Sequence, residues 1–250
     1  MIVDQRSETG VGVGAAGAPA RLFAEFLGTA LLATVVVGSG IAAQRLSPDD
    51  KGLQLFESAA ATGAGLVALI LALGPVSGAH LNPVVTAADR LFGGMGTREA
   101  LGYVAAQLTG AGAGCVLANL MFSEPAVELS TTSRSGGGLW LAEAVATFGL
   151  LLVIFGVVRS GRTSATPFAV GAYIGGAYFF TASTSFANPA LTLGRTLTDT
   201  FAGIEPASAP AFVAFELVGA GLAVVAVRLL YPSIAAVAGD VVLPHDQGGR

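Results

Sequence analysis

The sequence predicts an all-α membrane protein with six transmembrane helices and two half-helices, arranged as an inverted repeat. Of its 250 residues, 53% are hydrophobic and only 11% are charged, and the mean hydropathy is +0.73. A chain with so little polar surface cannot close as a soluble globule. Two short stretches that share one pattern, residues 80–86 and 186–192, divide the apolar segments into two matching sets.

Each of these two stretches contains an Asn-Pro pair followed by an apolar run. Asparagine caps free backbone N–H groups and proline fits the first helical position, so a helix is expected to begin at Asn82-Pro83-Val84 and at Asn188-Pro189-Ala190. The runs meet charge at Asp89 and Arg195, well short of the roughly 20 apolar residues that a transmembrane span needs. They therefore predict two half-helices.

Six longer apolar segments surround the half-helices, three before and three after a polar loop that ends in three glycines. They are expected at residues 22–43, 58–73, 100–122, 139–158, 167–181 and 212–230, with the half-helices at 82–91 and 188–201. Three spans per half reverse the direction of the second copy, so the repeats, at 21–122 and 138–231, are inverted. Such repeats place a substrate path at their interface, where broken helices meet near the bilayer midplane.

The ends of the chain are expected to be mobile tails, residues 1–20 and 233–250, that flank one domain at 21–232. The positive charges favour cytoplasmic termini, because cytoplasmic loops carry the excess of Lys and Arg. The inner set would be Arg6, Arg21, Arg90, Arg98, Arg159, Arg162, Arg228 and Arg250, and the outer set Arg45, Lys51, Arg134 and Arg195. The net charge of −4 implies no acidic or basic partner, and nucleic-acid binding is not expected.

Buried ionisable residues have two interpretations each. Glu25 and Glu143 lie within apolar spans, where a carboxylate is costly and marks function. They could form a proton relay, but their symmetric placement favours hydrogen bonds to backbone N–H groups of the loops before the half-helices. Glu216, opposite Gln107, is left open. His80 could be a pH gate, although hydrogen bonding to loop carbonyls at the inner vestibule is favoured.

The N-termini of both half-helices are expected to point at the centre of the membrane. Each would aim a partial positive charge of about half an elementary charge there, which disfavours cations, including protons. Asn82 and Asn188 could offer side-chain N–H groups to a passing oxygen while their other atoms cap the helices. The alternative is that both asparagines are only caps in a packed core.

With the motifs Ser77-Gly78-Ala79-His80-Leu81-Asn82-Pro83-Val84 and Asn188-Pro189-Ala190, the chain resembles the aquaporin and glycerol-facilitator (major intrinsic protein) family. The resemblance covers about residues 22–230. It implies a bundle of six helices and two half-helices, a pore in each subunit and a homotetramer in the lipid bilayer. It further implies passive passage of small neutral solutes, with no cofactor and no metal.

The chain departs from this family at the filter. The family normally has an arginine directly after the second motif, where this chain has Leu191. Counted back from the motifs without gaps, the other filter positions are Thr62, Gly176 and Ser185. A wide, uncharged filter is therefore expected. Arg195, one turn further, is expected to extend to the outer water layer, and the alternative is that it reaches back over Leu191.

The leading functional hypothesis is a channel for glycerol, small polyols or neutral metalloid acids, with water also considered, in the inner or plasma membrane. A secondary transporter is the alternative, because inverted repeats with broken helices occur in both classes. A third hypothesis is a closed, structural member of the family. An enzyme is not expected, since the sequence offers no nucleophile, metal cluster or phosphate loop.

Overall fold

The structure, a computed structural model, describes residues 16–233. Within that range the chain forms eight α-helices and no β-strand. In chain order they are α1 (Ala18–Leu46), α2 (Lys51–Ser77), α3 (Pro83–Phe92), α4 (Thr97–Met121), α5 (Gly137–Arg159), α6 (Thr166–Phe180), α7 (Pro189–Gly194) and α8 (Ala209–Leu230). Short 3₁₀ turns, Thr163–Ala165 and Arg195–Leu197, precede α6 and follow α7. The predicted all-α fold is confirmed, with α3 and α7 as the half-helices.

Five helices of the described range, α1, α2, α4, α5 and α8, are long and apolar enough to cross a membrane by length and composition. The sixth long helix is α6, which has only 15 residues. Such a helix is about 22 Å long, less than the hydrocarbon thickness of about 30 Å. The 3₁₀ turn before α6 and the extended residue after it lengthen this segment.

The helices form two related halves. The first and last long helices of each half pack together, α1 with α4 and α5 with α8, and α2 packs against α6 between the halves. Each half-helix also contacts the last helix of the opposite half, α3 with α8 and α7 with α4. This reciprocal packing is what an inverted repeat requires, and it brings α3 and α7 into contact at the centre.

Each half-helix begins at its predicted proline. The side-chain oxygen of Asn82 accepts the backbone N–H of Val84 at 3.1 Å, and that of Asn188 accepts the N–H of Ala190 at 3.0 Å. These bonds satisfy N–H groups that have no partner within the first helical turn. The sequence therefore determines where both half-helices start.

The second half-helix is shorter than predicted, because α7 ends at Gly194 instead of Phe201. Beyond its 3₁₀ turn, the Thr198 hydroxyl donates to the side chain of Asn119 at 2.7 Å. The backbone N–H of Phe201 donates to the side chain of Gln44 at 3.0 Å. These bonds to α4 and α1 hold the segment in a loop conformation. The Phe201 N–H donates to α1 and does not form a helical hydrogen bond.

The first helix begins earlier than the predicted tail allows. Gly17 is the N-cap of α1 and a proline occupies its first turn, so residues 18–20 are helical. The rest of the predicted N-terminal tail, residues 1–15, and most of the predicted C-terminal tail, residues 234–250, lie outside the described residues.

Glycines allow close helix packing within each half. In α4, a Cβ atom at Gly110 would collide with the carbonyl oxygen of Phe26 in α1, and one at Gly114 with that of Ala30. In α8, a Cβ atom at Gly219 would collide with the carbonyl oxygen of Ala144 in α5. Backbone contact through small residues is typical of helix association in membranes. Both helix pairs use it.

We expect Gly219→Ala to lower the free energy of unfolding by about 1–3 kcal/mol, because the added methyl group overlaps the backbone of α5. Gly221→Ala, in the same helix, is the matched control, since a Cβ atom there meets nothing within 4 Å and alanine favours helix. The thermal unfolding midpoints of the two variants in detergent measure the difference. Equal midpoints would contradict the packing role of Gly219.

Candidate functional site

The half-helices meet at their capping asparagines. Asn82 donates a side-chain N–H to the carbonyl oxygen of Ala187, and Asn188 donates one to that of Leu81, both at 2.8 Å. Each asparagine therefore caps its own helix through Oδ1 and binds the opposite loop through Nδ2. An amide nitrogen carries two hydrogens, so each asparagine keeps one N–H for another acceptor. Both asparagines border the central cavity.

The loops before the asparagines have an unusual backbone conformation. Leu81 and Ala187, whose carbonyls accept these bonds, have φ angles of 50° and 46°. Ala79 and Ser185, two residues earlier in each loop, have φ angles of 46° and 54°. Left-handed φ angles cost non-glycine residues of order 1–3 kcal/mol each and persist only where the surroundings hold them. These residues occupy matching positions before Asn82 and Asn188, so the two loops share one backbone conformation.

Glu25, fully buried on α1, binds the first loop. Its carboxyl oxygens accept the backbone N–H groups of His80 at 2.9 Å and Leu81 at 2.8 Å. The Ser77 hydroxyl and the Gln107 amide each donate a further bond at 2.7 Å. A buried carboxylate is tolerated only when such bonds replace water. Glu25 accepts four of them, two from the loop and one each from α2 and α4.

Glu143, fully buried on α5, binds the second loop in the same way. Its carboxyl oxygens accept the backbone N–H groups of Phe186 at 3.0 Å and Ala187 at 2.7 Å. These residues stand two and one positions before the second asparagine, as the partners of Glu25 do in the first loop. The geometry is the one that loop anchoring requires, and it leaves both carboxyl groups without the exposed oxygen that a relay would use.

The two halves differ at the third buried acid. One oxygen of Glu216 accepts the backbone N–H of Asn188 at 3.2 Å and the Thr192 hydroxyl at 2.6 Å. The other oxygen is buried and has no hydrogen-bond partner among the described residues. In the first half the matching residue, Gln107, donates an amide N–H to Glu25. The second half therefore has two neighbouring carboxyl groups where the first half has a carboxyl and an amide.

A cavity of about 60 Å³ lies between the two halves. It is bordered by the capping asparagines, by the loops before them and by side chains of α1, α2, α5 and α6. The lining side chains outside the loops and asparagines are Leu32, Val36, Thr62, Leu66, Ile70, Val85, Leu150, Ile154, Val170, Ile174, Tyr178, Leu191 and Arg195. Hydrogen-bonding groups and apolar side chains thus line the same small cavity.

Three of the four predicted filter residues, Thr62, Ser185 and Leu191, border this cavity. The fourth, Gly176, does not border it. Gly176 is exposed, and a Cβ atom there would meet nothing within 4 Å. Counting back from the motif ignores how the helix turns, and residues only two apart lie on nearly opposite helix faces.

Two larger side chains of α6 take the place of Gly176. Ile174 and Tyr178, four residues apart and therefore on one helix face, both border the cavity. The Tyr178 hydroxyl is 3.0 Å from the Thr62 hydroxyl, so a hydrogen bond joins α6 to α2 there. On the α6 side, the cavity is therefore bordered by larger side chains than the predicted glycine.

Arg195 borders the cavity and does not extend to the outer water layer. It is only 5% exposed, its Nε donates to the carbonyl oxygen of Ala202, and its Cζ lies 3.4 Å from the ring centroid of Phe186. Leu191, one turn earlier in the chain, borders the same cavity. The favoured expectation for Arg195 is therefore wrong, and a charged side chain borders the cavity.

His80 borders the cavity from the first loop. Its Nδ1 lies 3.1 Å from the Thr86 hydroxyl, and its ring packs edge-on against Tyr103 with centroids 5.4 Å apart. The other motif residues form the first turns of the half-helices and do not border the cavity: Pro83, Val84, Pro189 and Ala190.

Sequence reasoning missed Tyr178, Ile174 and Phe186 as cavity residues. A signal was present in α6, because Val170, Ile174 and Tyr178 recur every four residues, as residues on one helix face do. No pattern could have identified Phe186, because its ring borders the cavity only through the way its loop folds.

We expect Glu143→Gln to keep part of the loop hydrogen bonding and to lose less folded protein than Glu143→Leu. Leucine would leave two buried N–H groups without acceptors, at about 1–3 kcal/mol each. The amount of monodisperse protein after detergent extraction compares the two variants. Equal yields would count against the anchoring role.

We expect Glu216→Gln to raise the free energy of unfolding by about 1 kcal/mol, because the new amide could donate to Glu143 as Gln107 donates to Glu25. Gln107→Glu is the reciprocal variant and should be destabilising, since it places a second carboxyl group beside Glu25. Thermal unfolding midpoints measure both. If both variants shift the midpoint in the same direction, the pairing of carboxyl with amide groups does not explain the difference in stability between the two halves.

Comparison with known proteins agrees with this geometry. The family model described as major intrinsic protein (MIP) matches residues 16–185. Aquaglyceroporin AqpS of Rhizobium meliloti (strain 1021) is 50% identical over 214 residues, which cover 85% of this chain and 91% of that protein. Aquaporin A of Dictyostelium discoideum is 36% identical over 189 residues, which cover 70% of this chain and 67% of that protein.

A solved structure shares the fold. The X-ray structure of the aquaglyceroporin from Plasmodium falciparum matches with a TM-score of 0.69 at 23% identity, and the match covers 88% of this chain and 100% of that one. The family model and the R. meliloti relative both extend over most of the chain. This membrane protein, with its paired Asn-Pro half-helices and buried glutamate anchors, belongs to the major intrinsic protein family.

Proposed function

We propose that the chain is a passive membrane channel for small uncharged solutes, foremost glycerol and other small polyols, with neutral metalloid acids and water as further solutes. The observation that carries this proposal is the cavity between the two halves. It combines hydrogen-bonding groups of the loops and half-helices with apolar side chains of the long helices. The R. meliloti relative, which is named an aquaglyceroporin, supports the choice of glycerol.

The lining suits a polyol because such a solute presents both hydroxyl and C–H groups. Asn82, Asn188 and Arg195 can donate hydrogen bonds to its oxygens. Apolar side chains such as Leu66 and Ile174 can contact its carbon atoms without competing for those bonds. A cation would have to leave its water shell beside the positive charge of Arg195, and selectivity in pores arises from such barriers.

A secondary transporter is the less favoured alternative. Its only support is the inverted repeat with broken helices, which channels of this fold share. The relatives are named aquaporins and an aquaglyceroporin, and the family favours transport over catalysis. The site residues act in this proposal as pore lining, as filter and, for Glu25 and Glu143, as loop anchors.

We also propose a homotetramer in the inner or plasma membrane with both termini in the cytoplasm. The orientation is supported by the basic residues at the two ends of the bundle. Arg90 and Arg228 lie at the end that would face the cytoplasm, together with most of the other arginines. The assembly is supported by the family resemblance, and the bilayer by exposed apolar side chains on the long helices, such as Phe23 and Leu101.

The proposal is tested by stopped-flow swelling of proteoliposomes with water, glycerol, urea and undissociated arsenite. We expect glycerol flux well above that of empty vesicles, linear in the glycerol gradient and independent of sodium or proton gradients. Dependence on an ion gradient would favour the transporter. Absence of flux for every solute would contradict the channel and leave the closed, structural member.

Two variants of α6 provide the matched control. Ile174→Trp should abolish glycerol flux, because the larger ring enters the cavity that Ile174 borders. Gly176→Trp places the same ring on the exposed face of the same helix and should leave the flux unchanged. If Gly176→Trp abolishes the flux and Ile174→Trp does not, then Gly176 lines the solute path, as the count from the second motif predicts. The cavity would then not be that path.

A further inference from the structure

Two arginines contact the same aromatic ring, that of Phe186, which borders the cavity. The Cζ atoms of Arg195 and Arg134 lie 3.4 Å and 5.1 Å from the ring centroid of Phe186. Arg195 follows α7, and Arg134 belongs to the loop between α4 and α5. Within residues 16–233 neither guanidinium forms an ion pair. The ring and neutral acceptors must therefore compensate for the lost hydration of both charges.

Three consecutive carbonyl groups supply those acceptors. Arg134 donates from Nη2 to the carbonyl oxygen of Phe201 at 3.1 Å and from Nε to that of Gly203 at 2.8 Å. The carbonyl oxygen between them, that of Ala202, accepts the Nε–H of Arg195. The segment 201–203 thus binds both guanidinium groups, and Arg134 fixes it on both sides of the atom that Arg195 uses.

The two arginines differ in their access to the cavity. Arg195 borders it, whereas Arg134 does not. Among the described residues, Arg195 donates only through Nε, so its Nη groups are left for a molecule in the cavity. The guanidinium has five N–H donors, and stacking and the bond to Ala202 fix its plane without using the other four.

We propose that Arg195 is a specificity-determining residue of the pore, and that Arg134 is a positioning residue that holds it through Phe186 and the carbonyl groups of residues 201–203. This inference rests on the proposed channel function. The Nη groups of Arg195 supply donors to a hydroxylated solute, and the side chain limits the size of that solute. Arg134 does not touch the solute and acts by keeping the ring and the carbonyl of Ala202 in place.

The experiment measures the ratio of erythritol to glycerol permeability in proteoliposomes, with each flux normalised to the protein per vesicle. Arg195→Leu should raise this ratio on the order of tenfold, because a charged side chain with several donors is replaced by a smaller apolar one. Arg134→Leu should raise it by a smaller factor. Arg134→Lys should behave like Arg134→Leu, because lysine keeps the charge but loses the planar fork that binds two carbonyls.

The double variant Arg134→Leu with Arg195→Leu should match Arg195→Leu alone, because a residue that acts through another adds nothing once that other is gone. Arg45→Leu is the control. Arg45 also stacks on a ring, that of Phe122 at 5.4 Å, and donates to a backbone carbonyl, but it does not border the cavity. Its removal should leave the ratio unchanged.

A ratio in Arg195→Leu equal to that of the wild type would overturn the specificity role. Arg134 variants that lower only the yield of folded protein, or that add to Arg195→Leu, would overturn the positioning role. If an arginine variant does not fold, Phe186→Leu replaces it, since loss of the ring should raise the ratio with both arginines present. A wild type impermeable to glycerol would instead contradict the channel function itself.

Discussion

The structure depends on one constraint of the membrane interior, where every backbone N–H and carbonyl group needs a partner within the protein. A continuous helix meets this constraint by itself, whereas a broken helix does not. Here each of two broken segments supplies hydrogen-bond partners to the other. Asn82 and Asn188 cap their own half-helices and bind the carbonyl of the opposite loop, so neither segment is satisfied without the other. The two halves of the chain are therefore joined at their centre by a reciprocal pair of hydrogen bonds.

The same requirement explains the buried acids. Loops that carry left-handed residues at Leu81 and Ala187 leave N–H groups that no helix can satisfy, and Glu25 and Glu143 accept them. A carboxylate costs free energy in this environment, and its hydrogen bonds to these N–H groups offset that cost while they satisfy the loop. The glutamates are thus part of the backbone architecture, and they hold the loop residues that border the cavity.

The two repeats differ at polar, charged and aromatic residues in and near the cavity. The anchors and caps of the two halves match residue by residue, yet the position that Gln107 occupies in the first half holds an acid, Glu216, in the second. Beside the cavity, the stacked pair of Arg195 and Phe186 has no counterpart of the same kind in the first half. The repeat therefore accounts for the anchored loops around the cavity, and residues that break the repeat give its lining a charged group and an aromatic ring.

The sequence by itself determined the features that arise from local chemistry and from repetition: the membrane class, the half-helices that begin at each Asn-Pro, and the glutamates in matching positions. It could not determine the cavity lining on α6 or at Arg195. Which face Gly176 presents depends on how α6 packs against α2. Where a long arginine ends depends on a ring and a carbonyl, at Phe186 and Ala202, that the chain brings beside it only in three dimensions. Packing decides such positions because the free energy of a buried charge is set by all the groups that surround it, and these lie far apart in sequence.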